Sequence, residues 1–428
     1  MSKRFILIAG LMLLLLAFPV FSSGKQAAAT EGPTSLDVWQ HKEAGVNDMT
    51  KLMIEKFEAE NPGKKINLEI FEEVAGYNTK LVTAISGGGG PDVFDVNAVT
   101  AGAYNARGML QPADITEAGY ASLAEFEKLY VEGALNAFKN SKGELLGIPF
   151  ELSVWQLFVN KKYLQDAGVA YSKTEFITWK EHIDRCVKLH AQTGKKGYQL
   201  PFGGPFGWYL IIWEPHLWQY GGRIFDENQK SALDSQATRD TMQLWLDIYK
   251  NYKTGCTSEY PGANPVFEFA QGDSATTIAG PWAIGTIDSV NPDTSPHIDV
   301  VPSPQVDPAD PKLVMNSWGN FINVHTKKVG LASHYISYFA KYSLDAFLAG
   351  GPMQPTKEVF TDPKAKAKPG FAVFQDGLKY AKAREGTPYY DETGEAIKTT
   401  VDNIVLLGND MDQEVGKLHA EINRIQSQ

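Results

Sequence analysis

Cysteine is scarce in this 428-residue chain, which contains only Cys186 and Cys256. Neither cysteine stands in a nucleophile signature, and neither pairs with histidine at zinc-ligand spacing. Their spacing leaves two structures open, a disulfide or free thiols, with Cys186 buried in a helix-like stretch. The eight histidines are scattered, without an HExxH pair. The sequence therefore predicts no metal site and no cofactor.

Blocks of basic residues are also absent. The chain has 40 Lys and Arg against 50 Asp and Glu, which gives a formal net charge of −10 at pH 7. An acidic surface without a basic patch binds phosphate backbones poorly. We therefore expect no nucleic-acid partner.

Long apolar runs are missing except at the N-terminus. Lys3 and Arg4 precede an apolar run of 17 residues, 5–21, and small residues follow it. This order is typical of a secretory signal peptide, which we predict over residues 1–29 with cleavage after Ala29. The alternative is a membrane anchor, but the run contains Pro19 and is short of the ~20 residues that a spanning helix needs. No cysteine in this region could carry a lipid anchor, so we expect a soluble periplasmic protein.

The chain that follows alternates between two apolar periodicities. "SLDVWQ" and "KINLEIFEE" alternate apolar and polar residues, whereas the segment between them has the spacing of an amphipathic helix. "YNTKLVTAIS" is again helical and "PDVFDV" is a strand. The order β-α-β-α-β predicts α/β architecture with mainly parallel sheets flanked by helices.

Four consecutive glycines, residues 87–90, separate the second helix from the third strand. A phosphate-binding loop has the opposite order, strand, glycine-rich turn, helix, so that free N–H groups at the helix start meet the anion. The run also lacks the GK[ST] and GxGxxG patterns. It is therefore interpreted as a helix stop and a turn into the strand.

The nine tryptophans are the most informative feature for function. Trp179 and Trp245 lie in helical patterns and are expected to pack internally, whereas several others lie in loops or at strand ends. Ligands of open α/β sheets bind outside the carboxyl ends of strands. Indole faces there suit the C–H faces of sugar rings, and polar side chains can bond the hydroxyls.

Several segments together resemble the extracellular solute-binding proteins of ABC importers, in the sugar-binding group that includes maltose-binding protein. They occur in the family's order: "FEAENPGKKINLEI", "KLVTAISGGGGPDVFDV", "GELLGIPFELSVWQLFVNKKYLQDAGV", "QYGGRIFDE", "FAQGDSATTIAGPWAIG" and "GPMQPT". The resemblance implies a two-lobe periplasmic binding protein fold with a hinge that the chain crosses more than once. We place crossings near residues 149, 301–304 and 351–354. The N-terminal lobe then comprises residues 34–149 and 304–350, and the C-terminal lobe residues 150–303 and 351–428.

The resemblance also implies a function without catalysis. A monomeric protein would bind a carbohydrate between its lobes and deliver it to the membrane subunits of an ABC importer. Positions carried over as ligand contacts lie at strand ends, at the first crossing and in the second lobe: Gln40, His41, Asp95, Asn97, Glu151, Trp155, Gly204, Trp213, Trp282, Trp318 and Arg384. Trp282 matches the stacking aromatic residue of the family's "GPW" motif.

Two alternatives remain open at this stage. His41 and Arg384 are consistent with a phosphorylated or sulfonated sugar or polyol as the ligand of the same fold. Glu151 or Glu214 could instead serve a secreted glycoside hydrolase, although the sequence does not show a carboxylate pair across a scissile bond.

Overall fold

The computed structural model describes residues 34–72, 74–258 and 264–428. The predicted signal peptide lies outside these residues, so its extent and its cleavage after Ala29 stay predictions. None of the helices in the described ranges combines the length and the apolar character needed to cross a membrane.

Strands occur along most of the described chain. They are β1 (Ser35–His41), β2 (Lys65–Phe71), β3 (Val93–Asn97), β4 (Leu110–Gln111), β5 (Gly147–Val154), β6 (Gln156–Asn160), β7 (Lys196–Tyr198), β8 (Ser274–Ala279), β9 (Ile298–Val301), β10 (Leu313–Asn323) and β11 (Ala381–Ala383).

Helices connect and cover these strands. They are α1 (Ala44–Glu60), α2 (Val74–Ser86), α3 (Ala98–Ala106), α4 (Leu123–Glu127), α5 (Lys161–Asp166), α6 (Trp179–Thr193), α7 (Phe206–Gln219), α8 (Gln236–Leu246), α9 (Pro265–Gln271), α10 (Ala283–Val290), α11 (Val329–Lys341), α12 (Ser343–Leu348), α13 (Lys357–Thr361), α14 (Pro363–Lys366), α15 (Phe371–Gly377), α16 (Tyr390–Val405) and α17 (Met411–Gln426).

Local sequence explains several of these boundaries. Asn97 and Asn160 end β3 and β6, and each side chain accepts a hydrogen bond from a backbone N–H at the start of the next helix. Thr178 and Glu181 form a capping box at the start of α6. At the glycine run, Gly90 has a φ of +94°, which side-chain-bearing residues rarely adopt. The run lies between α2 and β3, so the interpretation as a turn is confirmed.

The strands form two sheets, one in each lobe. The first sheet has seven strands in the order β11-β10-β3-β1-β2, with β4 and β5 also paired to β10. The second has four strands in the order β7-β8-β6-β9. The two-lobe α/β fold is thus as predicted, with the first lobe on the seven-stranded sheet and the second on the four-stranded sheet.

The sheets are mixed, whereas the sequence predicted mainly parallel ones. β1 runs parallel to β2 and β3, but β10 runs antiparallel to β3, β4 and β5. In the second sheet β6 runs antiparallel to both β8 and β9. The physical reason is the path of the chain, because β10 returns from the second lobe and enters the first sheet in the reverse direction. Periodicity reveals strands but not the direction in which they return.

The chain passes directly from one sheet to the other at Trp155, which separates β5 from β6. Pro149, the predicted crossing, lies inside β5, where the pairing with β10 shifts register between Trp318 and Gly319. Proline lacks an N–H donor, and an irregularity of the ladder accommodates it. The chain passes between the sheets again after β9, over residues 302–312. The exact bounds of the two lobes stay a prediction.

Separate apolar cores stabilise the lobes. The first lobe buries Phe57, Phe94 and Phe321 in one cluster. The second sheet has a core on each face, because Leu157 of β6 points into one cluster and Phe158 into another. Cys186 and Cys256 are both free, so the disulfide that the sequence left open is not formed in the structure. Burial raises the pKa of each thiol to about 12.

Candidate functional site

The carboxyl ends of β1 and β3 bring His41 and Asp95 together. The Asp95 carboxylate contacts Nδ1 of His41 at 2.6 Å and accepts the backbone N–H of His41 at 3.1 Å. Burial lowers the pKa of His41, but the Asp95 carboxylate outweighs burial and raises that pKa above its ordinary value. Asp95 has no exposed surface, and its two contacts with His41 fix the orientation of the imidazole from the buried side.

Trp318 of β10 covers the other side of His41. The two rings stack with centroids 4.2 Å apart and an interplanar angle of 28°. Trp318 lies between Asn97 of β3 and Glu151 of β5 in the sheet register. This arrangement, the His41–Trp318 stack, places a flat ring surface beside the Glu151 position.

Glu151 is a buried carboxyl group at the centre of the site. Ser153, two residues further along β5, donates a hydrogen bond from Oγ to Oε1 of Glu151. Burial raises the pKa of Glu151 to about 7; the Ser153 hydrogen bond and His41 oppose the rise, and the negative charge of Glu43 adds to it. The carboxyl groups of Glu43 and Glu151 and the imidazole of His41 are therefore electrostatic neighbours.

Glu43 lies where the two lobes meet. Its Oε1 accepts a hydrogen bond of 2.5 Å from Oγ1 of Thr286, in α10 of the second lobe. Three glycines allow this approach: a Cβ on Gly45 would lie 2.9 Å from the carbonyl oxygen of Gly350, and one on Gly285 would lie 3.2 Å from the same oxygen. Burial raises the pKa of Glu43 as well, against the Thr286 hydrogen bond and the charge of His41.

A second contact between the lobes lies at α3. Arg107 donates a hydrogen bond of 3.0 Å from Nη2 to the backbone carbonyl of Pro388, and the same nitrogen lies 3.7 Å from Oε1 of Glu392. Side chains of the two lobes are thus in contact at both places.

Three indole rings of the second lobe and the crossing form a cluster. Trp155, Trp208 and Trp282, the tryptophan cluster, have ring centroids 5.4 to 6.0 Å apart in tilted and edge-on arrangements. Gly280 joins this cluster to β5, because a Cβ there would lie 2.7 Å from Oγ of Ser153 and 2.8 Å from Nε1 of Trp282. The Nε1 donor of Trp155 is buried and has no hydrogen-bond partner within the described part of the chain.

Comparison with known proteins places this geometry in a family. Residues 44–341 match the bacterial extracellular solute-binding protein family. The chain belongs to this family. Because the match covers more than half of the chain, the predicted resemblance is confirmed.

Named relatives and solved structures agree with this assignment. The arabinooligosaccharide-binding protein of Halalkalibacterium halodurans is 24% identical over 72% of this chain and 67% of its own length. The maltotriose-binding protein of Pyrococcus abyssi is 20% identical over 87% of this chain and 78% of its own. A solute-binding protein of Thermotoga lettingae, solved with α-D-tagatose, is 22% identical and superposes with a TM-score of 0.80 over 92% of this chain and 100% of its own.

Most predicted site residues of this solute-binding protein lie close to one another. The stack, the buried carboxyl groups and the tryptophan cluster include His41, Asp95, Asn97, Glu151, Trp155, Trp282 and Trp318. Asp95 and Asn97 are engaged internally, since Asp95 holds His41, and the Asn97 side chain caps α3 and donates to Asn316. Both residues therefore support the site through these bonds, and their direct contact with a ligand stays a prediction.

Four other predicted residues do not join this group. Gln40 is 1% exposed, and its amide bonds Thr50 and Asn47 within the first lobe. Trp213 of α7 has no exposed surface and belongs to the core of the second lobe. Gly204 lies in a turn and donates its N–H to the carbonyl of Pro201.

Arg384 is the fourth of these residues, and it forms a buried ion pair with Glu214. Its Nε lies 3.0 Å from Oε2 of Glu214, and the exposed fractions of the two side chains are 3% and 1%. Burial raises the pKa of Glu214, although Arg384 opposes the rise. The guanidinium of Arg384 is thus already paired, its Nη2 has no partner among the described residues, and its contact with a ligand stays a prediction.

Sequence reasoning missed four residues of the site: Glu43, Ser153, Trp208 and Thr286. Trp208 lies in residues 201–222, a stretch rich in glycine and aromatic residues. Ser153 is two residues from Glu151 on the same strand, so period-2 alternation could have found it. Glu43 and Thr286 meet only because the two lobes touch. No local pattern indicates such a contact.

Proposed function

We propose that this solute-binding protein takes up a carbohydrate where the two lobes meet and delivers it to the membrane subunits of an ABC importer. One observation carries the proposal: β5 holds Glu151, beside the His41–Trp318 stack, and Ser153, and it ends just before Trp155 of the tryptophan cluster. The carboxyl and hydroxyl groups of this strand thus lie between two aromatic surfaces. A sugar can place its C–H faces against the aromatic rings and form hydrogen bonds from its hydroxyl groups to the carboxyl and hydroxyl side chains.

The relatives support this class of ligand without naming the ligand itself. Their names and titles give an arabinooligosaccharide, maltotriose and tagatose. These compounds are neutral sugars of different lengths. We therefore propose a carbohydrate as the ligand class and leave its length to the experiment.

The charges of the site give less support to an anionic ligand. Of the two cations that motivated that alternative, His41 contacts Asp95 and Arg384 contacts Glu214. A phosphorylated or sulfonated sugar would meet two more carboxyl groups, Glu43 and Glu151, and the repulsion of like charges would weaken its binding.

Binding without turnover is the proposed role, because solute-binding proteins hand over their ligand unchanged. A glycoside hydrolase would need an acid and a second carboxylate on either side of the scissile bond. Glu214 does not suit that part, since it accepts hydrogen bonds from Arg384 and from the backbone N–H of Glu385. A periplasmic location and a monomeric state complete the proposal.

Isothermal titration calorimetry of the chain without residues 1–29 tests the proposal. The panel contains mono-, di- and trisaccharides and polyols, and we expect at least one to bind with a dissociation constant in the micromolar range or below. Trp282→Ala should weaken that binding about tenfold, because an aromatic face is lost. The matched control is Trp39→Ala, whose ring packs on Phe71 at 5.0 Å. No binding across the panel, or release of a cleaved product, would contradict the proposal.

A further inference from the structure

The acidic pair, Glu43 and Glu151, has no cationic partner in the part of the chain that the structure describes. Glu43 accepts a hydrogen bond from Thr286, and Glu151 accepts one from Ser153. Both donors are neutral hydroxyl groups. The positive group that acts on both carboxyl groups is His41, and Asp95 already pairs with it at 2.6 Å. When the acidic pair is ionised, this pair together with His41 and Asp95 therefore carries a net negative charge.

An uncompensated buried carboxylate is costly, because burial removes the water that solvates its charge. Glu151 is 3% exposed. Burial raises the pKa of each carboxyl group, so each holds its proton to a higher pH than it would in water. A ligand that brought its own positive charge would let both groups ionise against a partner.

The aromatic surroundings favour the same kind of ligand. Trp282 stands one helical turn before Thr286, the partner of Glu43, and its ring belongs to the tryptophan cluster. Indole faces attract cations as well as sugar C–H groups. Carboxylates and indole rings thus converge on one place, and both stabilise a positive charge.

We propose that the acidic pair selects the ligand by charge, and that the site prefers a carbohydrate that bears a protonated amine over its neutral counterpart and rejects its acidic counterpart. The ammonium group forms charge-assisted hydrogen bonds with Glu43 and Glu151 while the sugar ring contacts the indoles. This inference rests on the proposed carbohydrate function and names the ligand class within it.

The test compares matched sugars by calorimetry at pH 7. The probes are glucose, glucosamine and glucuronate; galactose, galactosamine and galacturonate; and the trimers maltotriose, glucosamine trimer and trigalacturonate. In at least one series the amine should bind about tenfold or more tighter than the neutral sugar, and the acid about tenfold or more weaker.

Charge-neutral variants of the acidic pair identify the cause of the preference. Glu43→Gln and Glu151→Gln keep the shape of each side chain and should reduce the preference for the amine in that series to within about threefold. Glu175→Gln, an exposed residue of the second lobe, is the matched control and should leave the preference unchanged. Far-ultraviolet circular dichroism checks that each variant is folded.

The outcomes separate the two proposals. If neutral sugars bind as tightly as their amines, or if the Gln variants keep the full preference, the charge selection is refuted while carbohydrate binding stands. If no member of any series or of the wider panel binds, carbohydrate binding itself fails and the charge selection falls with it.

Discussion

Replacing Glu151 with glutamine should stabilise the empty protein in a way that depends on pH. The carboxyl group titrates near 4.5 in the unfolded chain and near 7 in the folded protein, where burial is the main cause of the rise. Between these values the unfolded chain has released a proton that the folded protein retains. The contribution of Glu151 to stability is therefore most favourable below about pH 4.5 and declines as the pH rises through about 7.

The magnitude follows from the difference between the two pKa values. At about 1.4 kcal/mol for each pKa unit, Glu151 costs the wild type roughly 3 kcal/mol of unfolding free energy at pH 8 relative to pH 4. Glu151→Gln resembles the protonated carboxyl group at every pH and can still accept the hydrogen bond from Ser153. It should therefore match the wild type at pH 4 and exceed its stability by about 3 kcal/mol at pH 8.

Urea denaturation of the ligand-free proteins at the two pH values measures this difference. Glu175→Gln, at an exposed position, controls for the loss of one carboxyl group and should show no such change with pH. The reasoning would be refuted if the free energies of unfolding of the wild type and Glu151→Gln differed by the same amount at pH 4 and pH 8. A variant less stable than the wild type at pH 8 would do the same.

Three further predictions concern the supports of the site. Gly90→Ala should destabilise the protein by roughly 1–3 kcal/mol in urea denaturation, because alanine is strained at a φ of +94°. Arg384→Met should cost roughly 3–5 kcal/mol in the same assay, because it leaves the Glu214 carboxylate buried without its partner. Asp95→Asn should lower the pKa of His41, followed by NMR titration of the imidazole, and should weaken ligand binding.

Controls and contrary outcomes accompany these predictions. Gly89→Ala tests the same turn at a residue without positive φ, and Arg424→Met tests an exposed arginine; both should change stability little. Equal effects of the two glycine variants would remove the argument from backbone strain. A stable Arg384→Met protein would show that the ion pair is dispensable, and an unchanged pKa of His41 in Asp95→Asn would contradict the hydrogen bond between the two residues.

Local pattern was sufficient to predict much of the fold and several parts of the site. Alternation predicted β1 and β2, "PDVFDV" predicted β3, and the glycine run was correctly placed between a helix and a strand. These features depend on neighbours in the sequence. The resemblance to a family supplied the two lobes and drew attention to His41 and Trp282, which alternation alone would not distinguish from other polar or aromatic residues.

Features that depend on distant parts of the chain were beyond sequence reasoning. The antiparallel return of β10 is set by the route of the chain between lobes. The roles of Asp95 and Arg384 are set by partners, His41 at a separation of 54 residues and Glu214 at 170. The sequence alone does not show whether a charged residue is paired within the protein or free to contact a ligand. For that reason both residues were predicted as ligand contacts.

A crystal structure of the protein with the tightest-binding carbohydrate of the panel tests the central claim most directly. We predict electron density for the sugar between the His41–Trp318 stack and the tryptophan cluster, with hydroxyl or amine groups in hydrogen-bond contact with Glu43 and Glu151. Density for the sugar elsewhere on the protein, with these residues untouched, would contradict the account.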